Sequence, residues 1–134
     1  MKFWNDFDGS ILFNKVFTTP IPIGEITLFS VDINNDHSHI HIAFDISEVP
    51  DNPPLKWVTA GFNTCRLGLS CGGLSDVLIK NIPSTQKMKL TIEKHESYFL
   101  VRAQSSKSLI ELKTKHPSLC GPSVYTSAPE SACY

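Results

Sequence analysis

Between residues 87 and 114, apolar side chains recur at every second position, and the pattern breaks where two-residue turns fit. Met88, Leu90 and Ile92 form one inward set, Phe99, Val101 and Ala103 a second, and Ile110 and Leu112 a third. A strand with one buried face has this period of two, because successive side chains leave opposite faces of the pleat. Turns at His95-Glu96 and Ser106-Lys107 would set Ile92 against Phe99, Leu90 against Val101, Ala103 against Ile110 and Val101 against Leu112. An antiparallel meander is therefore expected. Its outer face would carry Lys87, Lys89, Glu93, Arg102, Glu111 and Lys113, a solvated and mostly basic surface.

The same logic predicts a hairpin upstream. Residues 25–33 and 37–45 flank Asn34-Asn35-Asp36, residue types that tolerate positive φ. A two-residue Asn35-Asp36 loop would pair Val31 with Ile40, Phe29 with Ile42 and Thr27 with Phe44, gathering the apolar side chains on one face. Asp32 would then oppose His39, and Ser30 would oppose His41, on the polar face. Pro50, Pro53 and Pro54 next force an extended crossing. Beyond it, a strand near 55–62 carrying Trp57 and Phe62 and an alternating strand at 64–71 are expected. A glycine turn at Gly72-Gly73 would lead into a further strand at 74–82. At the N-terminus, Phe3, Trp4, Phe7, Ile11 and Leu12 fall near helical spacing, interrupted by Gly9 and Ser10, which predicts a short helical element.

The expected architecture is mainly β: an antiparallel meander of about seven or eight strands packed as a sandwich or partly open barrel. The 134 residues fit a single domain, 1–134, in which 117–134 is an irregular tail with room for a last strand. Hydrophobic content of 41% and charged content of 19% exclude a disordered chain. No window reaches the ~20 apolar residues of a membrane span. The opening Met-Lys-Phe-Trp-Asn-Asp-Phe-Asp puts acids where a signal peptide needs an apolar core, so a cytoplasmic location is expected.

Cys65 and Cys71 lie six positions apart on one expected strand, roughly 20 Å and beyond bridging distance. They read as small buried hydrophobes. The redox state of Cys120 and Cys133 stays open.

Chemistry-bearing motifs are sparse. His37-Ser38-His39-Ile40-His41 places His39 and His41 on one strand face, where Asp32 of the neighbouring strand could complete three zinc ligands. Such a site would be shallow, with nothing evident to orient the rings. Neither a bound metal nor any other cofactor is expected. There is no Gly-x-Ser-x-Gly elbow, and Gly68-Leu69-Ser70-Cys71-Gly72-Gly73 lacks the lysine of a phosphate loop. The basic meander face lacks interleaved exposed aromatics, so nucleic acid is not the expected partner. The residues give no reason to expect an enzyme.

The chain resembles the immunity protein 50 family of bacterial polymorphic-toxin systems over about residues 1–112. The resemblance is carried by Trp4, by Pro20-Ile21-Pro22, and by Phe44-Asp45-Ile46 with Pro50. It continues through Asn52-Pro53-Pro54-Leu55-Lys56-Trp57 and Gly61-Phe62-Asn63-Thr64. It implies a small antidote that binds the toxic C-terminal domain of a cognate toxin, with no catalytic residues to carry over. The family pattern ends in a further strand and a near-terminal tyrosine; here Pro117, Gly121, Pro122 and Pro129 interrupt that region.

Charge then suggests where such a toxin would dock. Residues 1–64 hold eight acids and three bases, a net of −5, whereas residues 65–134 hold five acids and nine bases, a net of +4. Toxins that attack nucleic acid are commonly basic, and inhibitors use complementary charge to speed encounter. The expected contact residues are Asp32, Asp36, His39, His41, Asp45, Glu48 and Asp51. The competing readings are a small-molecule-binding β protein and, further off, a metal-dependent enzyme built on His39 and His41.

Overall fold

The computed structural model describes residues 2–82 and 86–127. The alternating segments become β1 (Glu25–Asn34), β2 (His39–Ile46), β3 (Thr64–Lys80), β4 (Lys87–Lys94), β5 (Phe99–Gln104) and β6 (Leu109–Tyr125). All neighbours are antiparallel, and the sheet closes on itself in the order β1-β2-β3-β6-β5-β4. The seam that closes it is short, Glu25–Thr27 of β1 against Lys87–Lys89 of β4.

The expected antiparallel β class holds, with fewer strands than expected. Gly72-Gly73 does not end a strand. Gly73 takes φ of +60°, and the register shifts between Ser75 and Leu78, so β3 bends and continues for 17 residues. Residues 55–62 are not a strand either. Leu55–Ala60 forms a helix, α2, that follows Pro54 and ends at Gly61 with φ of +79°. Proline before a helix and glycine after it are start and stop signals, and here they outweigh the β-propensity of Trp57, Val58 and Thr59. Trp57 is half-buried against the core.

β6 passes through the region expected to be irregular. Leu119 sends its N–H to the Asp8 carbonyl (2.8 Å), away from β3, and Pro117, two residues earlier, shares that orientation. Its missing N–H therefore takes nothing from the β3–β6 ladder. Pro122 sits where the β3–β6 register shifts. Pro129, Cys133 and Tyr134 lie outside the described residues.

The β4–β5 turn falls one position later than expected, at Glu96-Ser97, so Ile92 pairs with Val101 and Leu90 with Ala103. The β5–β6 pairing, Ala103 with Ile110 and Val101 with Leu112, is as the alternation predicts. In the first hairpin a 3₁₀ turn at Asn35–His37, closed by Ser38 in the left-handed region, lengthens the loop. Val31 therefore pairs with Ile42 and Ile33 with Ile40.

The barrel interior is filled by β-strand side chains, among them Ile26, Ile42, Phe44, Leu67, Leu90 and Leu112, all at 2% exposure or less. The N-terminal segment joins this core. Its 3₁₀ turn (Trp4–Asp6) and helix α1 (Ile11–Val16) are separated by Gly9 at φ of +82°. Trp4 is fully buried, with its ring centroid 5.3 Å from that of Phe44. Phe13 and Val16 point inward, whereas Ile11 and Leu12, expected in the apolar stripe, face out.

Candidate functional site

Side chains on the outside of β1, β2, β3 and β6 line up in rows fixed by the register. One row runs Asp32, His41, Ser70, Ser118, and the next runs Asn34, His39, Gly72, His116. Asp32 thus opposes His41 rather than His39, a two-residue shift that keeps the same face outward. His39 Nε2 lies 2.6 Å from the Ser70 hydroxyl. The His41 ring lies over Gly68, where an added Cβ would come within 2.9 Å of the imidazole. A hollow of about 390 Å³ is lined by Asp32, Asn34, Asn35, His39 and His41 among others. Beside it, a hollow of about 280 Å³ is lined chiefly by Ile33, Ile40, Leu74 and Val77 together with Asn34 and His39.

Farther along this face the register rows reach Asp45 and Arg66. Arg66 Nε donates to Asp45 Oδ1 at 2.8 Å, and the Tyr125 hydroxyl donates to Asp45 Oδ2 at 2.5 Å. The guanidinium lies between two rings, 3.7 Å from the Phe29 centroid and 4.6 Å from that of Tyr125. Burial works against the Arg66 charge, but the hydrogen bond and charge of Asp45, with Tyr125, outweigh it and raise its pKa. Burial, and then Asp45, push the Tyr125 phenol up.

Phe29 was expected in the core. Instead it is the extra residue of a bulge between Leu28 and Ser30 and is 61% exposed. A bulge turns one side chain out of the alternation, which a pattern of period two cannot anticipate.

The seven expected contact residues do not form one patch. Asp32, Asp36, His39 and His41 gather at the turn end of the hairpin, with Asp36 3.6 Å from His37. Asp45 belongs to the Arg66 network, near the other end of β2. Glu48 accepts from Ser47. Asp51 accepts the Thr18 N–H at 2.9 Å and also the Thr18 hydroxyl, bonds that hold its carboxyl below the usual carboxylate range. Asp51 therefore ties the proline crossing to the segment after α1.

Sequence reasoning missed Phe29, Arg66, Tyr125 and Ser70. Only Arg66 carried a usable signal, as a lone outward base on a strand next to Asp45.

The meander face is less basic than its sequence suggests. Lys87 pairs with Glu25 (3.1 Å), Arg102 with Glu111 (2.6 Å) and Lys113 with Asp76 (3.0 Å). Among the described residues, no three His, Cys, Asp or Glu side chains converge as a metal site would require. Cys65 and Cys71 are fully buried, and burial pushes both thiols up to about 12. No helix among the described residues is long and apolar enough to cross a membrane.

The family model described as immunity protein 50 matches residues 9–125, a span that takes in all six strands. No curated protein and no solved structure matches the chain significantly.

Proposed function

The chain belongs to the immunity protein 50 family, and on that premise we propose that it neutralises a cognate polymorphic toxin. It would do so by binding the toxin's C-terminal domain stoichiometrically in the cytoplasm. The observation that carries this reading is the match of the family model across the whole barrel. The chain acts as a binding partner and not as an enzyme, so its surface does the work.

The filled barrel interior favours a protein partner over a small molecule. Ligand-binding β-barrels keep a cavity between their strands, whereas here Leu67, Leu69, Leu90 and Leu112 occupy that volume. The acidic first hairpin, with Asp32, Asp36, His39 and His41 at its turn end and Asp45 and Glu48 toward the other, is the docking region that charge complementarity favours. Asp51 lies in the crossing beyond it.

The test is co-expression with the C-terminal domain of the secreted protein encoded immediately upstream. Growth should be restored, and the two chains should co-purify at one to one. Undiminished toxicity with both chains folded and no complex on gel filtration rejects the reading.

A further inference from the structure

The outer face of β1–β2–β3–β6 differs in kind from that of β4–β5. Its central positions are small: Ala43, Gly68, Ser70, Gly72 and Ser118 line up across β2, β3 and β6. No lysine or glutamate stands among them. The β4–β5 side carries long charged side chains, and Lys87 and Arg102 there pair with Glu25 of β1 and Glu111 of β6 at its borders, the pattern of a solvated surface. The cores of protein–protein interfaces are depleted in Lys and Glu and enriched in aromatic residues and Arg.

The His41 ring lies over Gly68 and His39 against Ser70, and beside them the large apolar side chain Phe29 is held ready. Phe29 is thrown outward by the bulge and is 61% exposed, yet its ring rests on an Arg66 that is itself clamped by Asp45 and Tyr125. An exposed aromatic fixed before binding loses little freedom on contact, as interface anchors require.

We propose that this face is the surface on which the toxin docks, with Phe29 as its apolar anchor and Asp32 receiving a toxin Lys or Arg. The proposal rests on the immunity reading above and specifies the surface through which it acts. Asp32 is exposed, and among the described residues it has no ion pair or side-chain hydrogen bond, so its carboxylate is open to a partner. The partner's chemistry follows from the two adjoining hollows: a cation for the polar one beside Asp32, His39 and His41, and an aliphatic side chain for the one lined by Ile33, Leu74 and Val77. A second copy of this chain fits less well. Among the described residues, Arg66 is the one lysine or arginine in the rows from Asp45 to His39, and it is already held by Asp45. Two such faces brought together in a symmetric dimer would set Asp32 against no free cation.

The experiment places a bulky side chain on the floor. Ala43→Arg and Ser118→Arg are compared with Gln104→Arg on β5, each checked by circular dichroism and thermal melting. Binding of the toxin C-terminal domain encoded upstream is measured by titration. Both floor variants should weaken binding at least ~100-fold while Gln104→Arg stays within about threefold. Two further variants, Phe29→Ala and Asp32→Asn, leave the strands' inward residues untouched and should each weaken binding about tenfold or more. Wild-type affinity in folded floor variants, or loss of affinity in Gln104→Arg alone, overturns the surface. A wild-type dimer that dissociates in Ala43→Arg while toxin affinity is kept assigns the face to self-association and also overturns it. If the wild-type chain itself fails to bind the toxin, the immunity reading fails first and the proposal with it.

Discussion

At the scale of single residues, the Asp45–Arg66–Tyr125 cluster shows how one carboxylate can stabilise three strands. Asp45 on β2 receives Arg66 from β3 and Tyr125 from β6, each bond charge-assisted and part-buried. Asp45→Ala leaves the guanidinium and phenol without their acceptor and should cost about 2 kcal/mol in urea unfolding. The pH dependence has a definite sign. Tyr125, Cys65 and Cys71 all hold their protons more tightly folded than unfolded. The stability they confer is present below their unfolded pKa values, about 9 for the thiols and about 10 for the phenol, and is lost as pH rises through the folded values. The urea midpoint should therefore fall above about pH 9, and Tyr125→Phe should flatten part of that fall. Exposure separates the thiols kinetically as well. Native Cys65 and Cys71 should resist iodoacetamide at pH 8 while half-buried Cys120 is labelled, which peptide mass spectrometry reads directly.

At the scale of elements, what was legible in the sequence is what period and turn chemistry encode. The β4–β5–β6 alternation named its inward residues correctly, because Met88, Leu90, Ile92, Val101 and Leu112 have no rival face to occupy. At two places, Gly72-Gly73 and Pro117, local patterns were overruled by long-range pairing. Gly72-Gly73 looks like a turn in isolation, but Gly72 pairs with His116 and its carbonyl accepts the Thr114 hydroxyl at 2.6 Å, so β3 runs on. Pro117 looks like a breaker, but its ring sits on the side of β6 where no ladder bond to β3 is needed. The polar-face assignment of Asp32, His39 and His41 survived a two-residue register error because the error was even; a shift of one would have inverted the face. Phe29 and its bulge were not legible at all. Gly9 supplies a test of the N-terminal packing. Its φ of +82° favours glycine, and an added Cβ would lie inside contact distance of the Leu119 carbonyl oxygen. Gly9→Ala should destabilise the fold by at least about 2 kcal/mol, seen as a lower melting temperature. Trp57→Ala, on the rim of the core, should cost stability without selectively removing toxin binding.

At the scale of the whole molecule, the acidic and basic halves of the chain do not become simple acidic and basic faces. Folding spends several charges internally: Asp45 on Arg66, Asp51 on Thr18, Lys87 on Glu25 and Lys113 on Asp76. Among the described residues, Asp32 at the hairpin end has no counter-ion and Asp36 pairs with His37, while the exposed Asp6, Asp8 and Glu96 elsewhere also lack an ion pair. Long-range attraction depends on such uncompensated charge, and it acts mainly on the rate of encounter. Asp32→Lys combined with Asp36→Lys should therefore lower the association rate for a basic toxin domain by about tenfold to a hundredfold at low salt. The dissociation rate should change less, and the difference from wild type should shrink as salt screens it. Lys87→Glu combined with Lys89→Glu changes the net charge by the same amount in the opposite direction, on a face already partly neutralised by Glu25. For that variant the rate should rise slightly or stay constant. Asp45 and Asp51 are unsuitable for this comparison, because reversing either one breaks bonds of the fold. If the lysine reversals abolish association while the aspartate reversals leave it at the wild-type rate, the toxin approaches from the meander side, and the charge argument for the hairpin end is wrong.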